Sequence, residues 1–252
     1  MDLHKRVSRT VAAGLVALTL LGLMPAVGLA VNQANSHAAG RESRDKNRED
    51  TDRAKASGSQ LKYTDQYTLV SKRSFLKGPR KNPDGTFNVA IEIPAGTNEK
   101  WETSSTATNV MFWEFKKGKP RVIAYLPYVG NYGSLVNSKA SDGDPLDVLV
   151  LAPAVARGTI QKVRVVGVLK VSEPDSSAPG GKVTDDKLLA VCEGAPLSAA
   201  TSLADLDANF PGVTQIVRTW FENYKGPGAM TFEGWGESSE ANAMAESVAA
   251  YN

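Results

Sequence analysis

Asp142-Gly143-Asp144-Pro145-Leu146-Asp147 places three carboxylates at i, i+2 and i+5 around a glycine and a proline, directly before the apolar run Val148-Leu149-Val150-Leu151. Carboxylates this close repel one another, and a positive charge between them relieves the repulsion. Hard divalent cations such as Mg²⁺ and Ca²⁺ take oxygen ligands and suit that role. Gly143 and Pro145 impose a turn, and the apolar run anchors one end of it in a sheet. The three side chains are therefore expected to converge on one small volume. The plain alternative is a solvated Asp-Gly-Asp-Pro turn. An EF-hand loop is excluded: counted from Asp142, position 5 is Leu146, position 6 is Asp147 and position 12 is Pro153, where a calcium loop needs an oxygen donor, glycine and glutamate.

Four weaker constellations accompany it. Glu92 ends the alternating strand pattern Asn88–Ile93, which stops at Pro94, and a charge there needs a partner or a metal. Lys100 and Glu102 share a strand face at period two, although a surface ion pair of this kind is worth little. Arg121 precedes Tyr128-Val129-Gly130-Asn131-Tyr132-Gly133. A guanidinium fork and phenol donors suit phosphate oxygens, while ordinary aromatic packing at a strand end is the plain alternative. Asp185-Asp186-Lys187 and Tyr224-Lys225-Gly226 carry little alone. Tyr224 continues a helical apolar stripe, and Lys225 ends that helix, where the dipole favours a cation.

Composition narrows the chemistry. The only histidines, His4 and His37, lie in the first 60 residues. Ser-His-Asp and Cys-His catalysis are therefore excluded for the rest of the chain, as are zinc sites built on histidine or clustered cysteine. The single Cys192 ends the apolar run Leu189-Ala190-Val191 and reads as a buried small hydrophobe, with no intrachain disulfide available to it. The first 60 residues hold nine of the 29 basic and six of the 27 acidic residues, leaving 20 basic and 21 acidic residues beyond. No basic face is implied, so a nucleic-acid partner is not expected.

Lys5, Arg6 and Arg9, then the apolar stretch Val11 to Val27, then Gly28-Leu29-Ala30, have the order of a secretory signal over residues 1–30. Ser36-His37-Ala38 offers a second cleavage site. An uncleaved anchor is the alternative, with a run at the short edge for a span. No cysteine follows the run, so a lipoprotein anchor is not supported. The expected location is periplasmic or secreted, without a stable membrane anchor. Residues 31–60 are polar, with a mixed-charge run from Arg41 to Lys55, and read as a flexible tether.

The folded domain is expected over residues 61–252. Strands are expected at Asn88–Ile93, Val110–Phe115, Arg121–Leu126, Val148–Leu151, Ile160–Val171 and Lys187–Val191, with Lys116–Pro120 as a hairpin turn. Helices are expected at Ser202–Asn209, at Val213–Tyr224 with Pro211 in the first turn, and at Glu237–Ala250. Strands first and helices after indicate an α+β fold with a barrel-like sheet.

In order along the chain, these pieces resemble one family, the soluble family I inorganic pyrophosphatases. Asp142 to Val148 matches its D-x-D-P-x-D-V signature. Ile91-Glu92-Ile93-Pro94, Asn131-Tyr132-Gly133, Val166-Gly167-Val168-Leu169, Lys187-Leu188-Leu189-Ala190-Val191 and Trp220-Phe221-Glu222-Asn223-Tyr224-Lys225 match its blocks in order, over roughly residues 86–235. The resemblance implies an OB-like five-stranded antiparallel β-barrel with C-terminal helices, and Mg²⁺-dependent hydrolysis of pyrophosphate, with Mn²⁺ or another divalent ion as a substitute. It implies Asp142, Asp144 and Asp147 as metal ligands, and Asp144 also as acceptor of the proton from the attacking water. Glu92 would be a ligand or a supporting acid. Lys100, Arg121, Tyr132, Lys187, Tyr224 and Lys225 would bind phosphate oxygens, with Glu102, Tyr128 and Asp185 completing the pocket. Family members assemble as dimers or hexamers, so a homo-oligomer is expected.

Two departures stand out. Glu173 only approximates an acid that the family carries after the strand near Val171; Pro174 replaces its neighbour, and an insertion runs through Gly180-Gly181 before Asp185. Glu173 and Asp185 would serve the additional metals. The segment before Tyr128 aligns only with a gap, and Arg121, following the Lys-Lys-Gly-Lys pattern, is preferred over Lys119. Two other functions compete: an exported phosphohydrolase of another substrate, and a non-catalytic OB-like module that binds a divalent cation or an anion.

Overall fold

Short β-branched and aromatic runs build most of the domain. The computed structural model describes residues 60–140 and 142–251, and the expected signal and all but the last residue of the expected tether lie outside them. The strands are β1 (Leu61–Asp65), β2 (Thr68–Ser71), β3 (Phe87–Ile93), β4 (Trp101–Thr103), β5 (Val110–Trp113), β6 (Phe115–Lys116), β7 (Lys119–Pro120), β8 (Asn131–Leu135), β9 (Asp147–Leu151), β10 (Ile160–Pro174), β11 (Lys182–Thr184), β12 (Lys187–Val191) and β13 (Thr231–Glu237). The helices are α1 (Leu203–Asn209), α2 (Val213–Asn223) and α3 (Ser238–Ser247). No helix among the described residues is long and apolar enough to cross a membrane.

The central pairings run β3–β8–β9–β12–β10, and the first residues of β10 return to β3, Ile160 opposite Ala90 and Val163 opposite Phe87. β10 is 15 residues long, which lets it serve β3 at its start, β12 in its middle, and β11 and β13 at its end. The expectation of a wholly antiparallel sheet is corrected at one pair. β9 and β12 run parallel, with Leu188 to Val191 opposite Val148 to Leu151. The long connection between them, which includes all of β10, makes a parallel return feasible. A second sheet of β1, β2, β5 and β4 adjoins, and β6 and β7 form a small hairpin.

Both faces of the central strands are buried, which is why they read as continuous apolar runs. Val148, Val150, Leu188 and Ala190 enter one core with Phe87, Val89 and Ile91, and α3 covers it with Ala241 and Ala245. Their neighbours Leu149, Leu151, Leu189 and Val191 enter the other core, which α1 and α2 cover. On α2, Val217, Trp220 and Phe221 bury one face at helical spacing. Ser202 caps α1 by accepting from the Asp205 amide. Pro211 lies before the α2 cap residue Gly212, outside the first turn where it was expected.

One expected strand is absent. Within Arg121–Leu126 only Val122 makes a ladder contact, a single bridge to Glu99. Prolines 120 and 127 bound this segment and have no N–H to donate. Its backbone is held instead by Glu114, Lys100 and the Trp113 indole: Arg121 N donates to the Glu114 carbonyl, and the Arg121 carbonyl accepts from Lys100 N and Trp113 Nε1. The Lys116–Pro120 turn is as expected, with Lys117 and Gly118 both in the left-handed region.

Candidate active site

Asp147 opens β9 and lies opposite Ser134 of β8, so the sheet fixes its position. Residues 136–140 and 142–146 lie in the loop connection between these strands. Ser138 closes the base of the loop: its hydroxyl donates to the Leu135 carbonyl at 2.7 Å and accepts from Leu146 N at 2.9 Å. At the tip, Ala140 N donates to the Asp144 carbonyl at 2.7 Å, and Asp144 N donates to the Asp142 carboxylate at 3.0 Å. Gly143 turns the chain with φ of 95°, a conformation that side chains resist. Gly133 has a different reason to be glycine: a Cβ there would lie 1.9 Å from the Ala90 carbonyl oxygen, so β8 could not approach β3 next to Tyr132.

The three aspartates face a cleft of about 340 Å³. Glu92 at the end of β3, Lys100 and Glu102 around β4, and Asp185 before β12 line it as well. Lys100 Nζ lies 3.1 Å from Glu102, so the pair does share a face. Burial opposes the charge of Lys100, but Tyr128, Glu102, Asp147 and Glu92 outweigh it and hold its pKa above the ordinary lysine value. Asp144 is raised by burial first, then by the neighbouring carboxylates of Asp142, Glu102 and Asp147. That is a carboxylate disposed to accept a proton.

Lys187 is buried and donates to both Asp147 and Asp185. Burial works against its charge, and those two carboxylates raise its pKa nonetheless. Asp185 continues the chain of contacts: its carboxyl hydrogen-bonds Glu173 and lies 3.6 Å from Lys225, which itself donates to Glu173. Burial and the hydrogen bond to Asp185 raise Glu173, while burial of Asp185 is outweighed by Lys187, Glu173 and Lys225, which lower it. The structure thus brings Glu173 to Asp185 and Lys225 although Pro174 breaks the expected pattern.

Tyr128, Tyr132 and Tyr224 form a buried aromatic cluster and are not among the residues lining the cleft, with the Tyr128 ring 5.3 Å from Tyr132 and 6.3 Å from Tyr224. Burial pushes the Tyr128 hydroxyl to about 12 and the other two well above their ordinary value, so all three remain hydrogen-bond donors. Arg121 is held 2.7 Å from Glu114, and its raised pKa, against the cost of burial, reflects Glu114, Tyr224 and Tyr128.

Some contributors escape a sequence reading. Glu92 is buried, and its carboxyl accepts from Thr103 N at 2.9 Å and from the Ser134 hydroxyl at 2.7 Å. The period-two pattern of Ser134 with Tyr132 was the one available signal. Asp186 lines the cleft beside Asp185 and accepts from Val171 N at 3.0 Å. Met244 of α3 reaches the same cleft from the far end of the chain. Arg157 donates to the Glu92 carbonyl at 2.7 Å and lies 3.9 Å over the Trp101 ring, tying the end of β3 to β4.

Burial raises Glu92 from 4.5 to about 7, with Lys100, Thr103 and Ser134 opposing the shift and Asp147 adding to it. In metal-free protein the native state therefore holds this proton to higher pH than the unfolded chain. Stability should fall as pH rises from about 4.5 to about 7 and stay low above it, by on the order of 3 kcal/mol in total. Glu92→Gln should flatten that fall in urea unfolding with EDTA between pH 5 and 8. An unchanged slope would remove Glu92 as its source.

Seven of the lining residues are acids, Glu92, Glu102, Asp142, Asp144, Asp147, Asp185 and Asp186, against the single lining lysine, Lys100. Among the described residues, no three aspartate, glutamate, histidine or cysteine side chains are gathered tightly enough to hold a metal ion, so Asp142, Asp144 and Asp147 share the cleft without the close convergence expected of them. The donors are nevertheless all carboxylate oxygens with negative charge in excess, the set that a hard divalent cation prefers. Asp142, Asp144 and Asp147 are the residues that would hold it.

The sequence profile of the inorganic pyrophosphatases matches residues 89–252, the part of the chain that carries the cleft. The chain belongs to that family. An inorganic pyrophosphatase of Drosophila melanogaster is 32% identical over 56% of this chain and 45% of its own length, so the chain spans about half of that relative. One from Xanthomonas campestris is 31% identical over 68% of this chain and 93% of its own length. Among solved structures, the inorganic pyrophosphatase of Thermus thermophilus is similar with a TM-score of 0.57 and 25% identity, covering 70% of this chain and 97% of that one. Within this pyrophosphatase domain the insertion before Asp185 takes a definite form: Ser172 to Pro174 pair with Thr184 to Lys182 as a hairpin.

Proposed function

We propose that this chain hydrolyses inorganic pyrophosphate to two phosphates in the cleft around Asp142, Asp144 and Asp147, with Mg²⁺ as its cation. The observation that carries the reading is the excess of carboxylates lining the cleft, with buried Lys187 donating to two of them, Asp147 and Asp185, in a chain of this family. A divalent cation bound there would lower the pKa of water and neutralise charge on phosphoryl oxygens.

Each residue then has a task. Asp144 takes the proton of the attacking water as its oxygen bonds to one phosphorus. The bond from that phosphorus to the bridging oxygen breaks, and the electron pair leaves with the second phosphate. Lys100, Arg121, Lys187 and Lys225 balance the charge of substrate and leaving group. Tyr128, Tyr132 and Tyr224 donate hydrogen bonds to its oxygens, which is positioning with electrostatic stabilisation. Glu102 orients Lys100. Glu173 and Asp185 orient Lys225 and Lys187, and are the acids available to further cations carried in with the substrate.

Three broader readings belong to the same proposal. The five strands whose pairings return to β3 are read as an OB-like barrel. The basic, apolar and small-residue order of residues 1–30 supports export to the periplasm or medium, and a homo-oligomer is expected. Purified full-length protein should release phosphate from pyrophosphate at least a hundredfold faster than from p-nitrophenyl phosphate or a nucleoside triphosphate. Comparable rates on all three would favour a general phosphohydrolase. Sequencing of the mature N-terminus tests export, and an intact Met1 in a soluble cytoplasmic fraction would end that reading.

A further inference from the structure

The last helix reaches the cleft through Met244, and the chain beyond it is bonded to the aspartate loop. Arg80, between β2 and β3, forms the junction. Its Nε donates to the Asn137 carbonyl at 2.8 Å, and Nη2 donates to the same oxygen. Nη1 donates to the carbonyls of Ala245 at 3.2 Å, Glu246 at 3.1 Å and Val248 at 2.8 Å, and Nη2 donates to Ala249 at 3.0 Å. One guanidinium thus gathers open carbonyls at the C-terminus of α3, where a cation is favoured, and ties them to the start of the β8–β9 loop. Asn137 is in the left-handed region at φ of 57°, a conformation that needs support.

Two further bonds fasten the same place. Lys139 N donates to the Ala249 carbonyl at 2.9 Å, and Tyr251 N donates to the Asn137 side chain at 2.9 Å. The Tyr251 hydroxyl donates to the Ser105 carbonyl, two residues after the end of β4, the strand that carries Glu102. Asp147 is set by the sheet, but Asp142 and Asp144 are set by the loop. The loop is held at its base by Ser138 and on its outer side by this tail.

We propose that Arg80 and the segment Ala245–Tyr251 act as a clamp that positions Asp142 and Asp144 for binding a divalent cation; this rests on the pyrophosphatase reading of the cleft. Arg80 is a positioning residue and touches no reacting atom. Its planar five-donor fork serves five carbonyls at once, which lysine cannot reproduce. Partners that orient metal ligands typically govern metal affinity by 10- to 100-fold.

In metal-free full-length protein, Arg80→Lys should raise the Kd for Mn²⁺, read by calorimetry, about tenfold. Amide exchange at Asp144 and Leu146 should quicken, and kcat should recover at saturating Mg²⁺. Truncation after Val248, which removes the Ala249 and Tyr251 contacts, should act in the same direction and serves as the second arm if Arg80→Lys does not fold. Ser202→Ala, which uncaps α1, should lower Tm and leave the Mn²⁺ Kd unchanged. A lower Tm in Arg80→Lys with unchanged Kd and unchanged exchange overturns the clamp. Normal Mn²⁺ binding by a wild type that does not hydrolyse pyrophosphate overturns the reading of the cleft instead.

Discussion

Asp144→Asn is expected to lower kcat for pyrophosphate by about 10³-fold, the range for loss of a positioned base, while metal-free stability stays level or rises. Asparagine keeps the shape of the side chain but does not take the proton. The stability half of the expectation follows from charge. Asp144 is raised by burial and by Asp142, Glu102 and Asp147, so its ionised form is disfavoured where it stands. Removing that charge relieves repulsion in a cleft already rich in acids. The Asp142 carboxylate still accepts from the amide of residue 144, because that bond uses the backbone. Urea unfolding in EDTA, set beside steady-state kinetics in Mg²⁺, reads both halves. A variant that loses activity and stability together would make Asp144 a structural residue.

Lys187→Met should cost stability as well as activity. The lysine side chain is 3% exposed, and its partners Asp147 and Asp185 are 30% and 28% exposed. Methionine fills similar space but leaves both carboxylates unmatched. Breaking a buried pair from one side costs about 3–5 kcal/mol, and the partial exposure of the aspartates moves the expectation toward about 2–4 kcal/mol. Activity should fall at least 100-fold through the lost phosphate contact. Mg²⁺ should restore part of the lost stability, since a cation beside Asp147 can stand in for the missing charge. Thermal unfolding with EDTA and with Mg²⁺ checks this. A deficit equal in both conditions would place Lys187 outside the metal and phosphate site.

The parts of the fold that the sequence makes legible are those with local rules. Lys187–Val191 forms β12 over the expected residues, because five apolar or stem-buried side chains in a row have no other low-energy use. The Val213–Tyr224 helix declares itself by Val217, Trp220 and Phe221 at helical spacing. β13 was not legible: Gly234 at φ of 141° and Gly236 interrupt its alternation, and its pairing with β10 is set by partners far away along the chain, Gly167 opposite Glu237 and Ser172 opposite Thr231. Arg121–Leu126 looked extended by composition, but its flanking prolines cannot continue a ladder, and tertiary contacts hold it in irregular form.

The site divides the same way. Acids and cations announce themselves by type, and the cleft gathers Glu92, Lys100, Glu102, Asp142, Asp144, Asp147 and Asp185. Their supports do not. Thr103, Ser134 and Arg157 act on Glu92 largely through hydrogen bonds that exist only once β3, β4 and β8 are assembled. Cys192, read as inert, is buried, and burial pushes its thiol up to about 11. Glu173 shows how a departure in sequence can be absorbed. β10 continues to Pro174, at the strand end where a missing N–H is tolerated, and still delivers Glu173 to Asp185 and Lys225.

The most direct test is a Mg²⁺ titration of phosphate release from pyrophosphate by the purified full-length protein, with Asp144→Asn in parallel. The cleft as described predicts saturable activation by Mg²⁺ in the wild type, abolition by EDTA, and a rate that stays about 10³-fold lower in the variant even at saturating Mg²⁺. Release that persists in EDTA, or that Asp144→Asn leaves intact, would contradict metal-assisted attack of water in this cleft.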